Sequence, residues 1–307
     1  MERQVLERHA KPFVTVIIPV YNDAERLELC LQALDGQTYP SDQYEIIVVD
    51  NASDESVAPI VEQHPKARLI FEAVRTQFAA RNTAIAVAKG DLMAFSDSDC
   101  IPEPDWVENG VNCLLSVPNC GMVGGRVKLF AENPQHPTIA ELYEMVTAFP
   151  MKRYIEQEHF APTANMFTKR EVFEKVGGFN ATLVSGGDHE WGKRVHTGGF
   201  VQLYSHETVI LHPARPSISE LRRKALRVIR GLHDIYSGKK PPLSFRAVLR
   251  EIRPPLYVMR QMFNAEELQE YSQWQRVRVG ILAMYIKYLR NWEKRRLQIR
   301  DKLLGRI

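Results

Sequence analysis

The chain has 307 residues, 45% hydrophobic and 25% charged, which suits a globular protein with a sizeable core and excludes disorder, collagen-like repeats and a small disulfide scaffold. The net charge of +3 hides an asymmetry: from Glu220 onward 21 Lys and Arg face 8 Asp and Glu, a net of +13, while the preceding residues carry −10. Cys30, Cys100, Cys113 and Cys120 show no metal-ligand spacing, which argues against zinc and for reduced thiols in a cytosolic protein. Met1 to Lys11 lacks the apolar segment of a signal peptide. No stretch reaches the roughly 20 apolar residues of a spanning helix, so the chain is expected not to cross a membrane.

The first hundred residues alternate between short β-branched runs and helical patterns, as in parallel strands joined by helical crossovers. Strands are predicted at Val14–Ile18, Glu45–Val49, Arg68–Phe71 and Asp91–Phe95, with helices at Ala24–Leu34, Ser53–Gln63 and Thr76–Ala88 between them. Continuous apolar strands of this kind are buried on both faces. From Pro102 the alternation loosens into an α+β pattern attached to the first sheet. Helices are expected at Trp106–Leu115 and Thr138–Phe149, and β-rich runs at Gly121–Leu129 and Phe200–Leu211. A strand and short helix fill Asn165–Phe179, and another helix opens at Gly186. After Pro216 the chain is helical and basic. There is no internal repeat.

Ligands in open α/β sheets bind beyond the carboxyl ends of the strands, which puts Tyr21, Asp50 and the Asp97/Asp99 pair around one crevice. Asp97-Ser98-Asp99 offers hard oxygen ligands suited to Mg²⁺ or Mn²⁺, although small polar residues also make ordinary turns. Asp50 suits a nucleobase N–H or a ribose hydroxyl, while Asn51 to Asp54 also suit a helix cap. Asp188, in Gly186-Gly-Asp-His-Glu190, is a candidate general base; acids at a helix start are equally explained by the macrodipole. His212 ends a β-rich run ahead of a proline.

Taken in order, Ile17-Ile-Pro-Val-Tyr-Asn22, Val48-Val-Asp-Asn-Ala-Ser-Asp54, Ala80-Arg-Asn82, Phe95-Ser-Asp-Ser-Asp99, Val176-Gly-Gly-Phe179, Gly187-Asp188 and His212 closely resemble the family 2 glycosyltransferases of the GT-A fold, over about Phe13 to Pro213. The resemblance implies a mixed, mostly parallel central sheet flanked by helices, with a helical basic C-terminal extension. It implies residues 1–12 as an N-terminal extension, 13–215 as the catalytic domain (13–101 for the nucleotide, 102–215 for the acceptor) and 216–307 as the basic region. The implied activity is transfer of a sugar from a nucleotide-diphosphate sugar to an acceptor hydroxyl in one inverting displacement, in polysaccharide, glycolipid or cell-envelope glycan synthesis.

By the same resemblance Tyr21 lies against the nucleobase, Asp50 bonds it, and Arg81 is the basic residue near the nucleotide. Pro19 and Ser98 complete the donor side, Asp97 meets the ribose, and Asp99 binds Mn²⁺ or Mg²⁺ with help from His212. Asp188 matches the second acid of the family's Glu-Asp pair, the base. Gly187 stands where the first acid is expected, which weakens the support of Asp188 and leaves open a non-catalytic nucleotide-sugar or glycan-binding protein that retains the fold. Glu190 is the fallback base, and Lys193 and Arg194 approach either the leaving diphosphate or the protein's own acids. UDP is the implied nucleotide, with GDP and dTDP open.

A nucleotidyltransferase wants a Gly-rich basic loop after the first strand, and a nicotinamide-dependent dehydrogenase wants G-x-G-x-x-G there; the loop is Pro19-Val-Tyr-Asn22. In the tail, Leu221, Ala225, Val228, Leu232 and Ile235 share helical spacing, with Arg222, Arg223, Arg227 and Arg230 elsewhere on the turns. Trp274, Ile281, Tyr285, Leu289 and Trp292 fall on one helical face, with Arg276, Lys287, Arg290 and Lys294 opposite. Such helices suit peripheral contact with anionic lipid on the cytoplasmic face of a membrane, or packing on the catalytic body. No nucleic-acid-binding motif accompanies the charge.

Overall fold

The structure is a computed structural model that describes residues 11–236 and 256–304. The N-terminal extension, apart from Lys11 and Pro12, and residues 237–255 and 305–307 of the basic tail lie outside the described residues.

One eight-stranded sheet runs between Val14 and Pro213 in the order β3-β2-β1-β4-β7-β6-β8-β5. Its strands are β1 (Val14–Val20), β2 (Tyr44–Asp50), β3 (Ala67–Phe71), β4 (Leu92–Ser96), β5 (Ile101–Pro102), β6 (Cys120–Phe130), β7 (Asn165–Lys169) and β8 (Val201–Pro213). The first four are parallel, and β7 enters antiparallel to β4. The two sequence halves therefore share one sheet. Alternation along β1 and β2 separates two cores: Val14, Val16, Ile18, Ile46 and Val48 face one layer, while Ile17, Ile47 and Val49 face the other. Helices α1 (Ala24–Asp35) and α4 (Trp106–Leu115) cover the first layer. Helices α3 (Gln77–Val87) and α8 (Gly187–Thr197) cover the second. Each fully buried Ile or Val contributes about 1.5–3 kcal/mol.

The helix expected at Ser53–Gln63 shrinks to α2 (Ala58–Val61). The polar residues before it serve the sheet edge instead. Ser53 N–H donates to Asp50 (2.9 Å), Asn22 and Asp54 exchange two bonds (2.7 and 2.8 Å), and Ala52 adopts φ +61°. These side chains compete with a helical backbone for hydrogen bonds. The expected helix Thr138–Phe149 ends early: α5 (Ile139–Thr147) stops before Phe149, which takes φ +50°, and α6 (Met151–Glu156) follows.

After α7 (Arg170–Val176) and α8, the chain forms α9 (Ile218–Tyr236), α10 (Leu256–Phe263) and α11 (Gln273–Leu303). Leu221 and Ala225 of α9, Met262 of α10 and Val279, Leu282, Ala283 and Ile286 of α11 make a third core with Ala140, Leu142 and Tyr143 of α5. Glu293, fully buried, accepts from Arg230 (2.7 Å) and Arg296, tying α11 to α9. The apolar face expected along α11 is turned outward: Trp274, Ile281, Tyr285 and Trp292 are exposed, and only Leu289 packs partly on this core. Among the described residues, no helix is long and apolar enough to cross a membrane.

Candidate active site

Strand register assembles the site. Because β1 pairs in parallel with β2, Val20 lies opposite Asp50, so Tyr21 leaves the sheet beside Asp50. Because Ile101 of β5 pairs antiparallel with Leu211 of β8, the next residue, His212, falls beside Asp99. The ligand atoms of Asp97, Asp99, Cys100 and His212 lie within 4.8 Å of one another. His212 Nε2 is 3.6 Å from Asp99, while Nδ1 lies 2.8 Å from the Pro213 carbonyl. Only a protonated Nδ1 can donate to that carbonyl, so the bond presents Nε2 as a free ligand toward Asp99.

Burial pushes the Asp99 carboxyl above its usual range, and neighbouring Asp97 adds to this while His212 opposes it. Two carboxylates and an imidazole nitrogen at this spacing fit a divalent cation that favours oxygen donors. Cys100 is a poorer donor, since its burial raises the thiol well above its ordinary value. All four cysteines are free thiols.

Arg81 is fully buried on α3 and donates to Asp97 at 2.5 Å. Burial lowers its pKa; Asp97 first and Asp188 next oppose that and keep the guanidinium charged. The adjacent Asn82 accepts from Phe179 N–H (2.9 Å) and donates to its carbonyl (2.7 Å). Neighbouring residues of α3 thus fix the Asp97 loop and the turn after α7. Phe179 packs on Phe78 and Trp191, and Trp191 donates to the Gly177 carbonyl (2.9 Å), which seats α8.

Asp188 lies in the first turn of α8, half-buried, and accepts from His189 N–H (2.9 Å). Burial raises its pKa, opposed by that bond and by Arg81. Gly187 has a steric cause: a Cβ there would lie 2.7 Å from the Phe78 ring. An acid cannot be housed at 187 without moving that ring, and Arg81 supplies the nearby charge that steadies Asp188.

Two cavities meet at the Asp97–Asp99–His212 cluster. One, about 970 Å³, is lined by Asn22, Asp23, Arg26, Asp54, Asp99 and Pro213 among others. The other, about 410 Å³, holds Asp97, Asp188 and His212 together under α9. Asp99 and Asp188 therefore line different cavities, with Asp97 and His212 between them. Tyr21 is 48% exposed with the Arg75 guanidinium 5.5 Å from its ring centroid. Pro19 and Asp50 are half-buried at the strand ends, and neither they nor Tyr21 line either cavity. Ser98 turns its hydroxyl to Asp23 (2.9 Å).

Glu190 and Arg194 form a two-bond pair (2.7 and 3.0 Å), and Arg194 also donates to the carbonyls of Val176, Gly177 and Gly178. Arg194 thus serves the protein's own acid and backbone, and Glu190 is held outside both cavities. The residues missed from sequence are Lys224 and Arg227 of α9, with Arg215 before it, all lining the second cavity. Gly231 was the available signal. It shares a helical face with Lys224 and Arg227/Val228, and a glycine within a helical pattern marks a close approach.

The sequence pattern described as "Glycosyl transferase family 2" matches residues 15–177. "Glycosyltransferase AglE" of Haloferax volcanii is 41% identical over 230 residues, covering 73% of this chain and 74% of that protein. A Methanococcus voltae enzyme named dolichyl N-acetyl-α-D-glucosaminyl phosphate 3-β-D-2,3-diacetamido-2,3-dideoxy-β-D-glucuronosyltransferase is 23% identical over 64% of this chain and 65% of its own length. Among solved structures, the fold matches a Pyrobaculum calidifontis mannosyltransferase in complex with GDP-Man and Mn²⁺, with TM-score 0.59 and 22% identity over 92% of this chain and 88% of that one. With the sheet, the acidic cluster and these likenesses together, the chain belongs to glycosyl transferase family 2.

Proposed function

We propose that this glycosyltransferase moves a sugar from a UDP-sugar to an acceptor hydroxyl in one inverting displacement that requires Mn²⁺ or Mg²⁺. The observation that carries the reading is the convergence of Asp97, Asp99 and His212 on one cluster, with Asp97 and His212 sharing a cavity with Asp188. Asp99 and His212 Nε2 would hold the cation, which when bound supplies positive charge to the departing diphosphate. The GDP-Man and Mn²⁺ in the mannosyltransferase support a nucleotide sugar and a divalent cation.

Asp97, anchored by Arg81, orients the donor's ribose. Tyr21 and Asp50 receive the base at the sheet edge, flanked by Pro19 and by Ser98. Residues 13–101 thus form the donor part and 102–215 the acceptor part. Asp188 faces the donor sugar from the second cavity and takes the acceptor hydroxyl's proton as that oxygen attacks the anomeric carbon. Attack and departure on opposite sides invert the configuration, so no covalent enzyme intermediate forms.

The acceptor is carbohydrate or lipid-linked glycan, as the dolichyl phosphate in the Methanococcus enzyme's name supports. The region 216–307 rests against the cytoplasmic face of an anionic membrane, supported by its net charge of +13 and by the exposed Trp274, Ile281, Tyr285 and Trp292 of α11.

The test is Asp188→Asn. Donor turnover should fall about 10²–10⁴-fold while calorimetry shows UDP–Mn²⁺ binding retained. Full turnover in this variant, with Asp99→Asn also active, would overturn the assignment.

A further inference from the structure

The second cavity carries more cationic charge than its own acids answer. Arg215 and Lys224 share the single carboxylate of Glu144 (3.0 and 2.7 Å), which is 2% exposed. Arg153 pairs with Glu158 (3.1 Å), and Asp97 is held by Arg81. Two further guanidinium groups line the same space, Arg227 from α9 and Arg290 from α11. Neither makes a hydrogen bond or ion pair among the described residues; Arg227 feels Asp97 and Asp188 only at longer range and is repelled by Arg215.

Two exposed arginines from different helices that line one cavity, Arg227 with Arg215 repelling it, are an arrangement that a bound anion would relieve. Guanidinium offers paired N–H groups that match phosphate and carboxylate oxygens. Val228, Leu232 and Ile286 of the same helices give the cavity an apolar wall beside this charge.

Which anion is decided by the direction of attack. In an in-line displacement the leaving diphosphate and the incoming hydroxyl lie on opposite sides of the sugar carbon. Asp97 and His212 mark the donor end of the second cavity, and apart from Gln77 and Asp97 its lining comes from beyond residue 142, including Asp188, Arg227 and Arg290. Arg227 and Arg290 come from the C-terminal helices, outside the part that receives the nucleotide, so the charge they meet is assigned to the acceptor.

We propose that the second cavity is a subsite for an anionic acceptor group, a phosphate or carboxylate, gripped by Arg227 and Arg290 with Lys224 and Arg215 behind. This rests on the reading of Asp188 as the acceptor-side base. The group has two possible sources, a lipid phosphate, which would use the apolar wall, or a uronate or phosphate within the glycan.

The experiment is calorimetry on the full chain with UDP and Mn²⁺ saturating. The probes are geranyl phosphate, methyl glucuronide and their neutral counterparts geraniol and methyl glucoside. At least one anionic probe should bind at least tenfold more tightly than its neutral partner. Arg227→Ala should remove that preference while leaving UDP–Mn²⁺ affinity within twofold. A tenfold advantage of geranyl phosphate over methyl glucuronide assigns the lipid source, and the reverse assigns the glycan source.

Equal binding of charged and neutral probes overturns the proposal. So does a loss of UDP–Mn²⁺ affinity in Arg227→Ala, which would give the arginine to the donor diphosphate. Titrating the probes again without nucleotide separates the two readings. Anion preference at Arg227 in a protein that binds no UDP–Mn²⁺ sinks the donor reading while the subsite stands.

Discussion

Gly231→Ala tests whether α9 belongs to the catalytic machinery. Gly231 lies where α9 crosses the loop before α8, and an added Cβ would sit 2.4 Å from the Ser185 carbonyl oxygen and 2.8 Å from its carbon. Ordinary C···O contact is about 3.3–3.6 Å, so helix and loop must separate by about 1 Å. Gly186, next in the loop, is already held at φ +82° and has Ile235 of α9 3.0 Å from its own missing Cβ, which leaves little room to yield.

Overpacking of this kind costs about 1–3 kcal/mol, and the gain in helix propensity returns about 1 kcal/mol. The net loss of up to about 2 kcal/mol predicts a Tm lower by up to about 6 °C. Because Asp188 follows that loop by two residues and Lys224 and Arg227 ride on the displaced helix, a shift of about 1 Å predicts a fall in turnover approaching 10²-fold. Donor hydrolysis, with water in the acceptor's place, measures turnover, and scanning calorimetry measures Tm. Gly36→Ala is the control, since a Cβ there meets only backbone oxygens at 3.7 and 3.8 Å. A Gly231→Ala protein with the Tm and turnover of the wild type would refute the wedging of α9 against the base.

Two more outcomes are expected. Donor turnover should rise with pH on its acid side, because Asp188 works deprotonated and burial holds its pKa above the usual carboxylate range. Binding of the anionic probe should weaken as pH climbs past about 8: Lys224, facing Glu144, Arg215 and Arg227, is pushed down to about 8 by burial and loses its charge there. A flat pH profile for both quantities would contradict these environments. Finally, the protein should co-sediment with phosphatidylserine vesicles and not with neutral ones, and replacing exposed Trp274 and Trp292 by Ser should release it. Equal recovery in the supernatant with both vesicle types would remove the membrane contact.

The sequence alone determined the parallel half of the sheet, because β1, β2 and β4 are apolar runs buried on both faces and each ends at a polar residue at or just beyond the strand. Local pattern carries that much because strand burial and strand ends are properties of a few neighbouring residues. Asp97, Asp99 and His212 are named through the order of the motifs and their resemblance to the family, and the fold adds Cys100 to the cluster. What only the tertiary structure decided is longer in range. The antiparallel entry of β7 joins the two halves into one sheet, and the ring of Phe78 accounts for Gly187. The arginines of α9, which periodicity alone leaves equally suited to solvent or lipid, divide by surroundings: Arg230 goes to buried Glu293, while Arg227, exposed, lines the cavity that also holds Asp188. Helical periodicity states which residues share a face but not what the face meets, because that depends on contacts closed between residues far apart in the chain.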